Sequence, residues 1–213
     1  MDHLFIFLLL INISSNLFGQ NTTQPTTQVF IKTAPLSFID VFGNTAALVS
    51  IETKLQNKIS ISLDAGVLYH SLGYGLQNNR GWRTGIELRY YLKNKQNYYI
   101  GTSYTFKDQQ YDFEETITID GLNPYKKNNA YSKKVSTINL LYGIQSIQIN
   151  KRFFINYFGG FGIRFKNTST MGLTSTEIKN RGFGDSTVLT SMNETGTNLR
   201  PNIVLGFKLG WQL

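Results

Sequence analysis

The chain has no cysteine, only 4 prolines among 213 residues, and a charged fraction of just 16%. Without a thiol there is no disulfide scaffold, Cys-ligated zinc, iron–sulfur cluster, thiol nucleophile or acylated lipoprotein cysteine. Long apolar runs are missing too: beyond Gly19 nothing approaches the ~20 residues that a membrane-crossing helix requires. What abounds is aromatic side chains, with 15 Phe, 12 Tyr and 2 Trp, together with 19 Gly. A chain so rich in aromatic and β-branched residues has apolar surface to hide and is not of the disordered class. Its length allows one or two domains.

Leu4 to Ile13 reads LFIFLLLINI, too short to span a bilayer as a helix. A polar stretch and Leu17-Phe18-Gly19-Gln20 follow, which reads as a secretory signal peptide over 1–19, cleaved after Gly19, although no Lys or Arg precedes the apolar run. Residues 20–28 then form an N-terminal periplasmic segment, and 29–213 the folded domain. Loss of Asp2 with the leader raises the net charge by one from +8, and loss of His3 leaves His70 as the only histidine.

The mature chain alternates with period two. Ile59, Ile61, Leu63, Ala65, Val67 and Tyr69 oppose Ser60, Ser62, Asp64, Gly66 and Leu68. Trp82, Thr84, Ile86, Leu88 and Tyr90 oppose Arg83, Gly85, Glu87, Arg89 and Tyr91, and Leu199 to Leu213 repeats the pattern. The spacing predicts eight strands, at 29–37, 45–55, 58–70, 81–92, 97–115, 131–149, 152–166 and 199–213. Their connections alternate between tight turns and the longer stretches 38–44, 71–80, 116–130 and 167–198. This is the pattern of an eight-stranded antiparallel up-and-down transmembrane β-barrel, with short periplasmic turns and long extracellular loops.

Alternation alone does not say which face points inward; a soluble lipocalin-like barrel places its apolar face inside, around a ligand. Glycine placement favours the lipid-facing alternative. Gly66, Gly85, Gly101, Gly143, Gly160, Gly162, Gly206 and Gly210 fall on the polar face, with Gly159 the exception. An eight-stranded ring has little inner space beyond its own side chains, which small and polar residues suit. The outward aromatics gather toward the strand ends, Tyr90, Tyr98, Phe153 and Trp211 at one rim and Tyr69, Trp82, Tyr104 and Phe165 at the other, as in interfacial belts.

On these residues, with Phe18-Gly19-Gln20, GWRTGIELRYYL at 81–92 and NIVLGFKLGWQL at 202–213, the chain resembles the small outer-membrane β-barrel proteins common in Bacteroidetes, related in shape to the OmpA and OmpX barrels. The resemblance implies a Gram-negative outer membrane, contact with its lipids including lipopolysaccharide, and insertion by the barrel-assembly machinery. Such barrels often end in Phe; here Leu213 is last, two residues after Trp211. Most members have no assigned activity.

By parity the interior charges include Lys32, Glu52, Asp64, Arg83, Glu87, Arg89, Arg164, Arg200 and Lys208. Unpaired charges in a narrow interior are costly, so these are expected to pair into a closed plug rather than an ion path, excluding a general porin. The adjacent His70 and Ser71 raise the alternative of a lipid-modifying hydrolase, but no orienting acid accompanies them. Asp108, Asp112, Glu114, Glu115 and Asp120 lack calcium-loop order and are expected to pair across a hairpin with Lys126, Lys127, Lys133 and Lys134. Those four lysines also form a candidate outer-rim surface for lipopolysaccharide phosphates. Gly159-Gly160-Phe161-Gly162 sits in a strand with no following helix, so it is no phosphate loop. The bases follow no single face, so nucleic acid is not an expected partner. Loop 167–198 is the candidate surface for an envelope protein partner. No metal, cofactor or catalytic residue is expected; the role is non-enzymatic, in envelope integrity, surface interaction or an envelope complex.

Overall fold

The computed structural model describes residues 28–35, 46–56, 58–69, 77–92, 98–117, 123–149, 152–172, 181–182 and 195–213. The expected leader therefore lies outside the described residues. The strands are β1 (Val29–Thr33), β2 (Ala46–Gln56), β3 (Ile59–Leu68), β4 (Gln77–Tyr91), β5 (Tyr98–Ile117), β6 (Tyr125–Ile149), β7 (Phe153–Met171), β8 (Arg181–Gly182) and β9 (Gly196–Gln212). No described helix is long and apolar enough to cross a membrane, a criterion that does not apply to strands.

All pairings are antiparallel, and each long strand pairs with its neighbours in the chain. β1 then pairs with β9, opposing Ile31 to Trp211 and Thr33 to Leu209, so eight strands close into one ring. Closure satisfies the backbone groups that an open sheet would expose at its edges. Both described termini lie at the tight-turn end, where the Leu213 amide donates to the Val29 carbonyl at 3.0 Å.

The strands outrun the apolar pattern at the long-connection end. β4 begins at Gln77 rather than 81, β6 at Tyr125 rather than 131, and β7 runs to Met171 rather than 166. The expected long connections 71–80, 116–130 and 167–198 are shortened accordingly. Alternation failed as a guide there because a hydrogen-bonded ladder needs no outward apolar residue. Instead the β5–β6 hairpin is held by inward rings, Tyr111 stacked on Tyr131 at 5.4 Å and 8°. β8 was not expected. It belongs to the connection between β7 and β9, yet it pairs with Thr116 and Ile117 on the β5 edge, which β4 leaves free beyond Asp112.

The two faces are sorted as glycine placement required. Ile51, Leu63, Ile86, Leu88, Ile100, Ile138, Leu140, Phe161, Ile163, Ile203 and Leu205 are exposed on the outer wall, while Lys32, Glu52, Glu87, Arg89 and Lys208 are buried within the ring. One correction applies to the interior, which is not only small and polar. Phe30, Tyr91, Tyr99 and Phe154 are buried there, at the tight-turn end.

Glycines make that possible. Gly210 stands directly opposite Phe154, and Gly143 opposite Tyr99. A Cβ at either position would strike the opposing ring. Phe154 also meets Phe30 edge-on at 5.3 Å, forming an apolar floor beneath the charged interior.

Candidate functional site

Above that floor sits an ion network drawn from β1, β2, β3, β4 and β9. Glu52 pairs with Lys32 and accepts from Arg89 Nη1 at 2.9 Å, Ser60 Oγ at 2.6 Å and the Tyr91 hydroxyl at 2.8 Å. Arg89 Nε donates to Glu87 Oε1 at 2.7 Å, and the guanidinium lies 4.4 Å from the Tyr99 ring centre. Lys208 Nζ bridges Asp64 at 2.8 Å and Glu87 at 3.7 Å. Three carboxylates thus meet three cations, so the desolvation cost of each ion is offset by opposite charge and hydrogen bonds at close range. Of the expected interior charges, Glu52, Asp64, Glu87, Arg89, Lys32 and Lys208 are brought together here.

Next along the interior is an uncharged layer. Asn202 donates to Asn139 at 2.7 Å, and Asn139 to Ser103 at 3.2 Å.

Beyond it the interior turns positive. Arg83 faces Lys107 across β4–β5, and Arg164 faces Arg200 across β7–β9. Lys166 is buried on the same face of β7, and Lys133 opposes Thr168. Asp64 lies diagonally across β3–β4 from Arg83, and higher on β5 the inward Glu115 is bonded to Tyr131 and to Asn129 at 3.2 Å. Lys107 and Lys166 were missed in the sequence, and the signal was available: Lys107 keeps the parity of Gly101, and Lys166 that of Arg164.

The four candidate rim lysines do not share one surface. Lys126 and Lys134 are exposed on the outer wall, whereas Lys133 points into the ring and Lys127 has its parity. Lys133 lies above the outward polar row of Asp108, Lys134 and Asn167. Burial, then the cations Lys166, Arg164 and Arg200, push its ammonium down to about 8 from 10.5. Of the expected hairpin ion pairs, Lys126–Glu114 forms at 2.6 Å, and Glu114 raises the Lys126 pKa. Lys134 opposes Asp108 and Lys127 opposes Glu115 in register. His70, Ser71 and most of loop 167–198 lie outside the described residues. Among the described residues no group of three or more metal-capable side chains comes together.

On the outer wall of β4–β7, an apolar groove of about 580 Å³ runs between Leu88, Ile100, Leu140, Tyr142 and Phe161, beside Gly101, Gly159 and Gly160. The outward Gly159, the exception in the pattern, is part of its lining.

Fold and site together define a closed, all-β ring that is apolar outside and charged within. No family model, curated protein or solved structure matches the chain.

Proposed function

We propose that the ring is an up-and-down β-barrel embedded in the outer membrane of a Gram-negative bacterium, and that it is a non-enzymatic envelope protein with a closed lumen. The carrying observation is the exposed outer wall, where Ile203 is 80% and Leu205 79% accessible and apolar residues recur around the circumference. Apolar surface this continuous calls for a cover. Its limits fit a bilayer. Trp82 packs on Phe106 at 5.2 Å toward one end, and Tyr98 on Tyr142 at 6.1 Å toward the other. The strand from Trp82 to Tyr90 is ~26 Å long at ~3.3 Å per residue. A ~40° tilt makes that ~20 Å along the barrel axis, near the ~25 Å apolar band of such barrels.

The plugged interior, rather than an open channel, supports a role in envelope integrity, surface interaction or an envelope complex. A soluble ligand-binding barrel would need its apolar face inside. The test is fractionation with gel mobility: the protein should stay with carbonate-washed outer membranes and migrate differently when unboiled. A carbonate-soluble protein with no heat-dependent shift overturns the reading.

A further inference from the structure

The apolar groove on the outer wall is built from two adjoining rows of outward residues. Tyr90, Ile100, Tyr142 and Gly159 are paired across β4–β7, and Leu88, Thr102, Leu140 and Phe161 make the next row. Thr102 in one row and Gly159 in the other lack the bulk of their neighbours, so the wall dips between Leu88, Tyr142 and Phe161. Toward the tight-turn end the following row holds Tyr98 and Tyr157, and Tyr98 packs on Tyr142 at 6.1 Å. The groove thus lies one row inside an aromatic belt, at the depth where an acyl chain joins its headgroup.

Charge at that end is one-sided. The three tight connections, 57–58, 92–97 and 150–152, contain Lys58, Lys93, Lys95, Lys151 and Arg152 and not one Asp or Glu. At the far end acids and bases are interleaved, as in Lys126 and Glu114 at 2.6 Å. Lys58 stands at the mouth of the groove. It directly precedes Ile59, part of the lining, and its carbonyl accepts from the Tyr91 amide at 2.7 Å. An apolar trough leading to a rim of bases is complementary to a molecule with an acyl chain and an anionic head.

We propose that the β4–β7 groove holds one anionic phospholipid, with an acyl chain between Leu88, Tyr142 and Phe161 and its phosphate beside Lys58. The inference rests on the membrane reading and takes the leaflet at the tight-turn, periplasmic side. Lipopolysaccharide, in the opposite leaflet, would present its phosphates at the wrong end.

The test is native mass spectrometry of the full chain from micelles holding equal phosphatidylglycerol and phosphatidylethanolamine of one acyl composition. One phosphatidylglycerol per chain should be retained in preference to phosphatidylethanolamine. Lys58→Gln should weaken that retention about fivefold, the worth of one base near an anionic surface. Thr102→Phe fills the groove from an exposed position, leaves the charge alone, and should weaken retention at least as much. Ile51→Phe, on the outer wall of β2 away from the groove, should change nothing. Equal retention of the two lipids, retention untouched by Lys58→Gln, or equal loss in Ile51→Phe and Thr102→Phe overturns the proposal. Gel mobility of the same samples separates the two readings. A heat-dependent shift without selective retention sinks the lipid site alone, whereas a carbonate-soluble chain with no shift removes the membrane reading and the site with it.

Discussion

The ring of Phe154 lies across Gly210, its directly opposed neighbour on β9, in the space where any other residue would carry a Cβ. Gly210→Ala should therefore force the ring aside, at a cost of ~1–3 kcal/mol as for other overpacked sites. The measurement is the denaturant midpoint of detergent-solubilised protein. The cost should shrink when Phe154→Leu is combined with it; an additive double variant would show that ring and glycine do not interact.

Glu52 binds Lys32 and Arg89 and accepts from two hydroxyls in full burial. Glu52→Gln takes from Lys32 its acid and leaves Arg89 with Glu87 alone, and should cost ~3–5 kcal/mol in unfolding experiments. Adding Lys32→Met restores local charge balance and should return much of that stability. No recovery would mean the shape of Glu52, not its charge, is what matters.

Lys133 opposes Gln109 on β5 and Thr168 on β7, and the cations that act on it are Lys166 and Arg164 on β7 and Arg200 on β9. Its pKa is about 8 in the folded chain against 10.5 in the open chain. Between those values the unfolded state holds the proton and the folded state does not, so stability rises with pH across that window. Lys133→Gln should flatten this profile; a stability curve unchanged by that substitution would refute the assignment.

Leu140 is 56% exposed on the outer wall, midway between the aromatic rows. In a bilayer Leu140→Arg should cost ~2–4 kcal/mol and reduce insertion into outer membranes. In a water-soluble ring the same change would be nearly silent. Thr137→Ala, three residues away on the same strand but facing inward, should leave insertion intact.

Much of this architecture was legible in period-two spacing, because a sheet with unlike faces makes Ile86 and Glu87 neighbours in the chain and strangers in environment. Pairing of Glu87 with Arg89 followed from their shared parity. Its bond to Lys208 did not, since that contact depends on curvature bringing β4 and β9 face to face across the interior. The extension of β5 and β6 was hidden because its outward residues are polar, and the inward Tyr111 and Tyr131 that hold it signal no strand boundary. Four lysines close in sequence suggest one rim surface, yet Lys133 and Lys134 must point opposite ways in any strand.

Ring closure also fixes an order of events. β1 pairs with β2 early in chain order but acquires its second neighbour only from Gly196–Gln212, so of the ladders described the one that joins β1 to β9 is the last that can form. Until then β1 and β7 are open edges beside exposed apolar walls, the combination most prone to pairing with other chains. A chain cut short before β9 would therefore be an aggregation seed more than a smaller version of the protein.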